Sequence, residues 1–271
     1  MELTGGNQVI PDDSMPTLME ASEYFQSTHA GRRNALDQFI QKRLKGLRAT
    51  LAHFLVTSFP WKAVVTTNYN SVAEDTWAEA SNRGFAADEI VTIRTDGDIE
   101  THAGETTKIR LYKPHGCVNH PGAPQHRMVL TSQDYFVSRD IRKRIYEAVL
   151  SLARKNTTVF VGYSLADYTF RSMYHQLFME LGEWAHGCYS VAPITPPQLF
   201  EWKSKSMAQL NTTLLNTSFD AFMLRLVLTR RSLHGELKER VAKQWDTVLE
   251  RNSQWMGDLS PARFAELPEP N

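Results

Sequence analysis

Apolar positions change their period several times along the chain. From Pro16 onward, Leu18, Ala21, Tyr24 and Phe25, then Leu36, Phe39, Ile40, Leu47, Leu51 and Phe54, recur at helical spacing. Two helices are therefore expected ahead of the first strand. The period then shortens: Ala63-Val64-Val65-Thr66-Thr67 is a β-rich run ending at Asn68, followed by a helix expected from about Ser71 to Asn82. Similar runs lie at 89–93, 108–112, 157–161, 189–192 and 212–215, mostly separated by helical stretches. Such alternation predicts an α/β fold: a doubly wound, Rossmann-like parallel sheet with helices on both faces and a helical leader.

Between the runs, 94–107 is rich in Gly, Asp and Thr and reads as an exposed hairpin or loop. Thr131 and Asp134 have capping-box spacing, and Ile141, Ile145, Val149 and Leu152 continue as one apolar stripe, so one long helix is expected over 132–154. Helices are also expected over 219–228 and 236–255, the latter carrying Leu237, Val241, Trp245, Val248 and Leu249. Turn formers dominate the first fourteen residues, and three prolines follow Ser260, so both ends read as loose. The expected division is a leader at 1–15, a Rossmann-like domain at 16–230, and a C-terminal helix and tail at 231–271. Neither an internal repeat nor a low-complexity tract interrupts it.

Composition narrows the partners. Of 271 residues, 42% are hydrophobic and 22% charged, enough apolar material for a buried sheet. Thirty basic residues balance thirty acidic ones, so overall charge points to neither nucleic acid nor a membrane surface. Cys117 and Cys188 are too few for a disulfide framework and form no CxxC pair for zinc, which fits a reducing cytoplasm. The eight histidines other than His115 lack metal-ligand spacing. A basic-then-apolar leader and an apolar run of eighteen residues are both missing, so neither export nor membrane insertion is expected.

In doubly wound sheets ligands bind beyond the carboxyl ends of the strands. Three polar segments sit at such ends: Thr66-Thr67-Asn68-Tyr69-Asn70, Lys113-Pro114-His115-Gly116, and Gly162-Tyr163-Ser164-Leu165-Ala166-Asp167. Taken singly, each also has a structural explanation. Asn68 serves as a turn residue, Gly162 as a tight turn, and Asp167 as a helix cap. His115 stands apart, because Pro114 fixes the preceding backbone and Gly116 lets a ligand approach closely.

Together, in this order, the segments resemble the sirtuin-like family, in particular its bacterial branch that consumes NAD⁺ during antiphage defence. That branch ends one strand in a TTNY-type turn, a later one in a K-P-HG-type turn and another in a GYSxxD-type turn. Leu130-Thr131-Ser132-Gln133-Asp134-Tyr135 resembles its LTxxDY segment, and the likeness covers roughly residues 16–228.

The resemblance implies that Asn68 orients the nicotinamide ribose or the attacking water and that His115 is the general base. An imidazole suits that task because its unperturbed pKa lies near 6.5. Thr66, Thr67 and Gly116 line the pocket by the same token. Gly162, Tyr163 and Ser164 form the nucleotide wall, with Asp167 holding their turn. NAD⁺ is then the substrate, no metal is required, and a homo-oligomer or a defence-system protein is the implied partner.

Two departures matter. The family opens with a strand and a GAG-x-S loop that cradles the pyrophosphate, for which Thr4-Gly5-Gly6-Asn7 is a poor substitute; the expectation is that this portion lies upstream of the sequence, with a naturally reduced pocket as the alternative. The four-cysteine zinc module of deacylating sirtuins is also missing, with the 132–154 helix in its place. Cys117, beside His115-Gly116, is expected to be a small packing residue rather than a reactive thiol. NAD⁺ hydrolysis is thus the leading expectation, a nucleotide-binding or partner-docking module the second, and an NAD⁺-dependent protein deacylase the third.

Overall fold

Every strand pair among the described residues runs parallel. The computed structural model describes residues 16–29, 31–119, 127–162, 186–194 and 197–233. Within them the order is α1 (Leu18–Thr28), α2 (Arg33–Leu44), α3 (Leu51–Thr57), β1 (Ala63–Val65), α4 (Val72–Asn82), β2 (Ile90–Ile93), α5 (Asp96–Thr101), β3 (Ile109–Tyr112), α6 (Ser132–Ile141), α7 (Lys143–Lys155), β4 (Thr158–Val161), β5 (Cys188–Val191), α8 (Pro197–Ala208), β6 (Thr212–Leu215) and α9 (Phe219–Leu233). The chain divides into two compact units at Met223/Leu224. Of the second unit, only the rear of α9 is described.

The strands form two three-stranded parallel sheets, in the orders β1-β3-β2 and β4-β5-β6. Each expected β-rich run is a strand, trimmed or shifted by a residue or two at most, and the parallel α/β class holds. Helix α7 packs against both sheets. Ile145 and Val149 lie with Val91, Ile93 and Tyr112, while Leu150 and Ala153 lie with Phe160 and Cys188. Because α-helical side chains three and four apart share a face, one helix presents two adjacent apolar stripes here, one to each sheet.

Three expectations need correction. Among the described residues three helices, not two, precede β1, because the chain breaks at Lys45–Thr50 before α3 starts on a Thr50–His53 capping box. The 94–107 segment is not simply a loop. Thr95 accepts from the Asp98 N–H while the Asp98 carboxylate accepts from the Thr95 N–H, and this reciprocal cap starts α5. The single helix expected over 132–154 is two, α6 and α7, which part at Arg142 (φ −125°, ψ 25°). The Thr131–Asp134 capping box is present as expected. The helix expected over 236–255 lies outside the described residues.

The leading helices serve as scaffold for the loops beyond β3. Phe25, Leu36 and Ile40 form one cluster with Val118, Met128 and Leu130. Arg33 donates to both carboxylate oxygens of Asp134 (2.6 and 2.5 Å) and to the Met128 carbonyl (2.5 Å). Among the described residues, no helix is long and apolar enough to cross a membrane.

Candidate functional site

The first turn begins where β1 stops. Pairing with β3 extends one step further, because the Thr66 N–H donates to the Tyr112 carbonyl (2.9 Å). The chain then bends on its own side chains. The Asn68 N–H donates to Thr66 Oγ1 (3.1 Å), and the Val72 N–H donates to Asn70 Oδ1 (3.1 Å), which opens α4. Thr66 and Thr67 are half-buried, and Asn68 is exposed.

The second turn lies at the end of the paired neighbour, β3. The Gly116 N–H donates to the Lys113 carbonyl (3.0 Å), and Gly116 adopts φ +81°, a left-handed conformation that costs a side-chain-bearing residue about 1–2 kcal/mol. The whole run from Leu111 to Val118 is buried, with His115 5% exposed. Its imidazole lies in an aromatic setting: Tyr135 meets it edge-on at 5.5 Å between centroids, and Tyr69 stacks at 6.5 Å. The His115 carbonyl accepts from the Val129 N–H (3.0 Å), and the Val129 carbonyl accepts from the Tyr69 hydroxyl (2.5 Å).

Several contacts fix one turn against the other. The Val118 N–H donates to the Tyr69 carbonyl (2.9 Å), and the ammonium of Lys113 donates to the Asn70 carbonyl. Lys113, wholly buried, also pairs with Glu74 on α4 (3.1 Å), which is reached in turn by Arg94 (3.3 Å). A buried ammonium needs both charge compensation and hydrogen-bond acceptors, and here they come from α4 and from the Asn68 turn that precedes it.

The structure therefore brings Thr66, Thr67, Asn68, His115 and Gly116 together at adjacent strand ends. Gly162 ends β4 in the other sheet with φ +60°, its N–H donating to the Val191 carbonyl (3.1 Å). A Cβ there would meet open space, so the backbone conformation alone favours glycine. Tyr163, Ser164 and Asp167 lie outside the described residues, as do Thr4-Gly5-Gly6-Asn7. Cys117 is a buried free thiol, as a packing residue should be.

A cleft of about 620 Å³ borders the turns, lined in part by Gln41, Lys42, Asn70, Ser71, Val118 and Asn119. His115 is not among its walls. Among the described residues, no group of three His, Cys, Asp or Glu is placed to hold a metal ion.

In the sequence, Tyr69, Lys113 and Tyr135 stand only as parts of motifs, and Glu74 and Arg142 belong to none of them. Glu74 is 39 residues from Lys113, and only the parallel register of β1 on β3 makes them neighbours. Arg142 sits in the basic run Arg139–Arg144 and looks like part of a solvated helix face, yet it is 1% exposed. The one available signal was a cation inside a stripe otherwise read as apolar.

A comparison with characterised proteins yields no match. Residues 62–211, more than half of the chain and a span that includes Asn68, His115 and Gly162, match the SIR2-like domain. Domains of this family use NAD⁺, and their parallel α/β architecture is the one described above. The chain belongs to the SIR2-like domain family.

Proposed function

We propose that this chain is an NAD⁺ glycohydrolase domain that breaks the bond between nicotinamide and ribose C1′ and releases nicotinamide and ADP-ribose. One observation carries the reading: the exposed Asn68 turn and the buried His115 turn stand at the ends of hydrogen-bonded strands and are tied to each other by Lys113 and Val118. The residues present fit the substrate. Thr66, Thr67 and Asn68 offer neutral hydrogen-bonding groups for a ribose, and Gly116 adds no side chain beside His115. The leaving nicotinamide departs neutral while positive charge develops on the sugar. In this reading Asn68 orients the ribose or the attacking water, and His115 takes the proton that the water or a ribose hydroxyl gives up. Gly162, Tyr163, Ser164 and Asp167 complete the nucleotide wall. The turn motifs, in the order seen in the bacterial defence branch, support a role as an effector of antiphage abortive infection, acting as an oligomer or with a partner protein.

The reading is tested by incubating the purified full chain with NAD⁺ and separating the products. Nicotinamide and ADP-ribose are expected in equal amounts. His115→Ala should slow their release by about 10²-fold or more, the range for loss of a general base. Asn68→Ala should also slow it, by a smaller factor. Depletion of NAD⁺ by His115→Ala at the wild-type rate sinks the assignment. Acyl-ADP-ribose formed only with an acylated peptide would move the chain to the deacylase class.

A second reading, a module that binds NAD⁺ or ADP-ribose or docks on a partner without turnover, draws on the 5% exposure of His115. A base so enclosed needs a local opening before water reaches it. Nucleotide binding with no products would favour that reading.

A further inference from the structure

Arg142 lies at the break between α6 and α7, caps the first helix and opens the second, and is 1% exposed. Its guanidinium reaches two backbone carbonyls, donating from Nη1 to Pro114 O (2.7 Å) and from Nη2 to Arg127 O (2.6 Å). These acceptors lie on either side of residues 120–126, so one side chain joins the segment leaving the His115 turn to the segment that returns beside it.

The choice of carbonyls matters more than their number. Pro114 O belongs to the peptide unit that joins Pro114 to His115, and a peptide unit is rigid and planar. Holding that oxygen fixes the plane from which the His115 side chain departs. The next peptide plane is fixed from the other direction, since His115 O accepts from the Val129 N–H (3.0 Å). Val129 stands two residues after Arg127, the second carbonyl held by Arg142. Both planes flanking His115 thus depend on the same guanidinium, one directly and one through 127–129.

We propose that Arg142 is the positioning residue of His115, setting the direction of its imidazole by fixing the Pro114–His115 peptide and the Arg127–Val129 segment against each other. A planar, five-donor fork is suited to two diverging carbonyls, whereas the lysine ammonium is a compact point charge on a flexible stem. Burial pulls the Arg142 pKa below the usual arginine value, opposed by the nearby Tyr146, Asp134, Tyr69 and Asp96. The inference builds on the proposed role of His115 but does not need that role in order to be tested.

The experiment uses the full chain with labelled histidine, the His115 imidazole signals being assigned by their loss in His115→Gln. Arg142→Lys and Arg142→Met are compared with wild type by cooperative unfolding, by these signals and by NAD⁺ turnover. In a folded variant the His115 signals are expected to shift or broaden while those of the other histidines stay in place. Turnover should fall on the order of 10-fold or more, with KM within about twofold, as displacement of one reacting group requires. Unchanged His115 signals in both folded variants overturn the proposal. Failure of both variants to fold also overturns it, because Arg142 would then hold the core rather than direct one side chain. A wild type that consumes no NAD⁺ defeats the hydrolase reading alone, and the histidine signals still decide the role of Arg142.

Discussion

Asp134 accepts hydrogen bonds from Arg33 and from the Leu130 and Thr131 N–H groups, while its own N–H caps onto Thr131. Burial alone would raise its pKa; the Arg33 hydrogen bonds and charge, with the backbone donors, outweigh that and hold the carboxyl below its ordinary range. The sign for stability follows from linkage. A folded pKa below the unfolded one means that the contribution is fully present above the unfolded value and is lost as pH falls through the folded one. Asp134→Asn should therefore destabilise the protein by about 2 kcal/mol at neutral pH, since it removes one of the two carboxylates that Arg33 pairs with and leaves Asp37 (2.8 Å) as the other. The gap from wild type should close as pH falls below about 4, where the unfolded carboxyl protonates. Urea unfolding at several pH values measures it, and a gap that stays constant would show that charge is not the source. Lys113 teaches a different lesson at this scale. The sequence motif made it a marker for His115, yet its contacts are with Asn70 and Glu74. A motif places a residue on the chain; only the fold shows which distant group it meets.

Among the elements, those with strong local signals were the legible ones. β-Rich runs bounded by polar turns located all six described strands, and T-x-x-D located the start of α6. The same signature begins α5, but Gly97 and the surrounding turn formers outweighed it in the sequence. The break at Arg142 was hidden because Ile141, Ile145 and Val149 keep helical phase across it. What breaks the helix is tertiary: the Pro114 and Arg127 carbonyls demand the guanidinium, and Asp96 caps the new start through the Arg144 and Ile145 N–H groups (3.1 Å each). The two helices should then answer mutation differently. Ile145, fully buried on α7 among Val91, Ile93 and Tyr112, should cost about 2–5 kcal/mol when replaced by alanine. Phe136 on α6 is 78% exposed, and Phe136→Ala should stay within about 0.5 kcal/mol of wild type. Denaturant midpoints for both variants check this, and comparable losses would mean that α6 buries its apolar face as α7 does.

Across the whole molecule, the parallel α/β class and the pairing of the Asn68 and His115 turns were readable because strand ends, order and motif all agree. The arrangement of strands as two threes and the bridging of both by α7 were not, since pairing partners are set by contacts remote in sequence. The site built on this frame makes a binding prediction separable from the chemistry. A ligand that binds only the folded state stabilises it by about 2.7 kcal/mol at one hundred times its Kd. For a protein of this size each kcal/mol moves the melting temperature by roughly 2–4 °C, so saturating NAD⁺ should raise it by about 5–10 °C. Wild type is a poor subject, because turnover would replace NAD⁺ with products during the measurement. His115→Ala is the better one, since losing a general base removes the proton acceptor while leaving Thr66, Thr67 and Asn68 in place to hold the ribose. It should retain the NAD⁺ shift and lose turnover. A shift lost along with turnover would make His115 a binding group rather than a base. No shift with NAD⁺ or ADP-ribose, in wild type or variant, would remove nucleotide recognition itself and leave partner docking as the surviving reading.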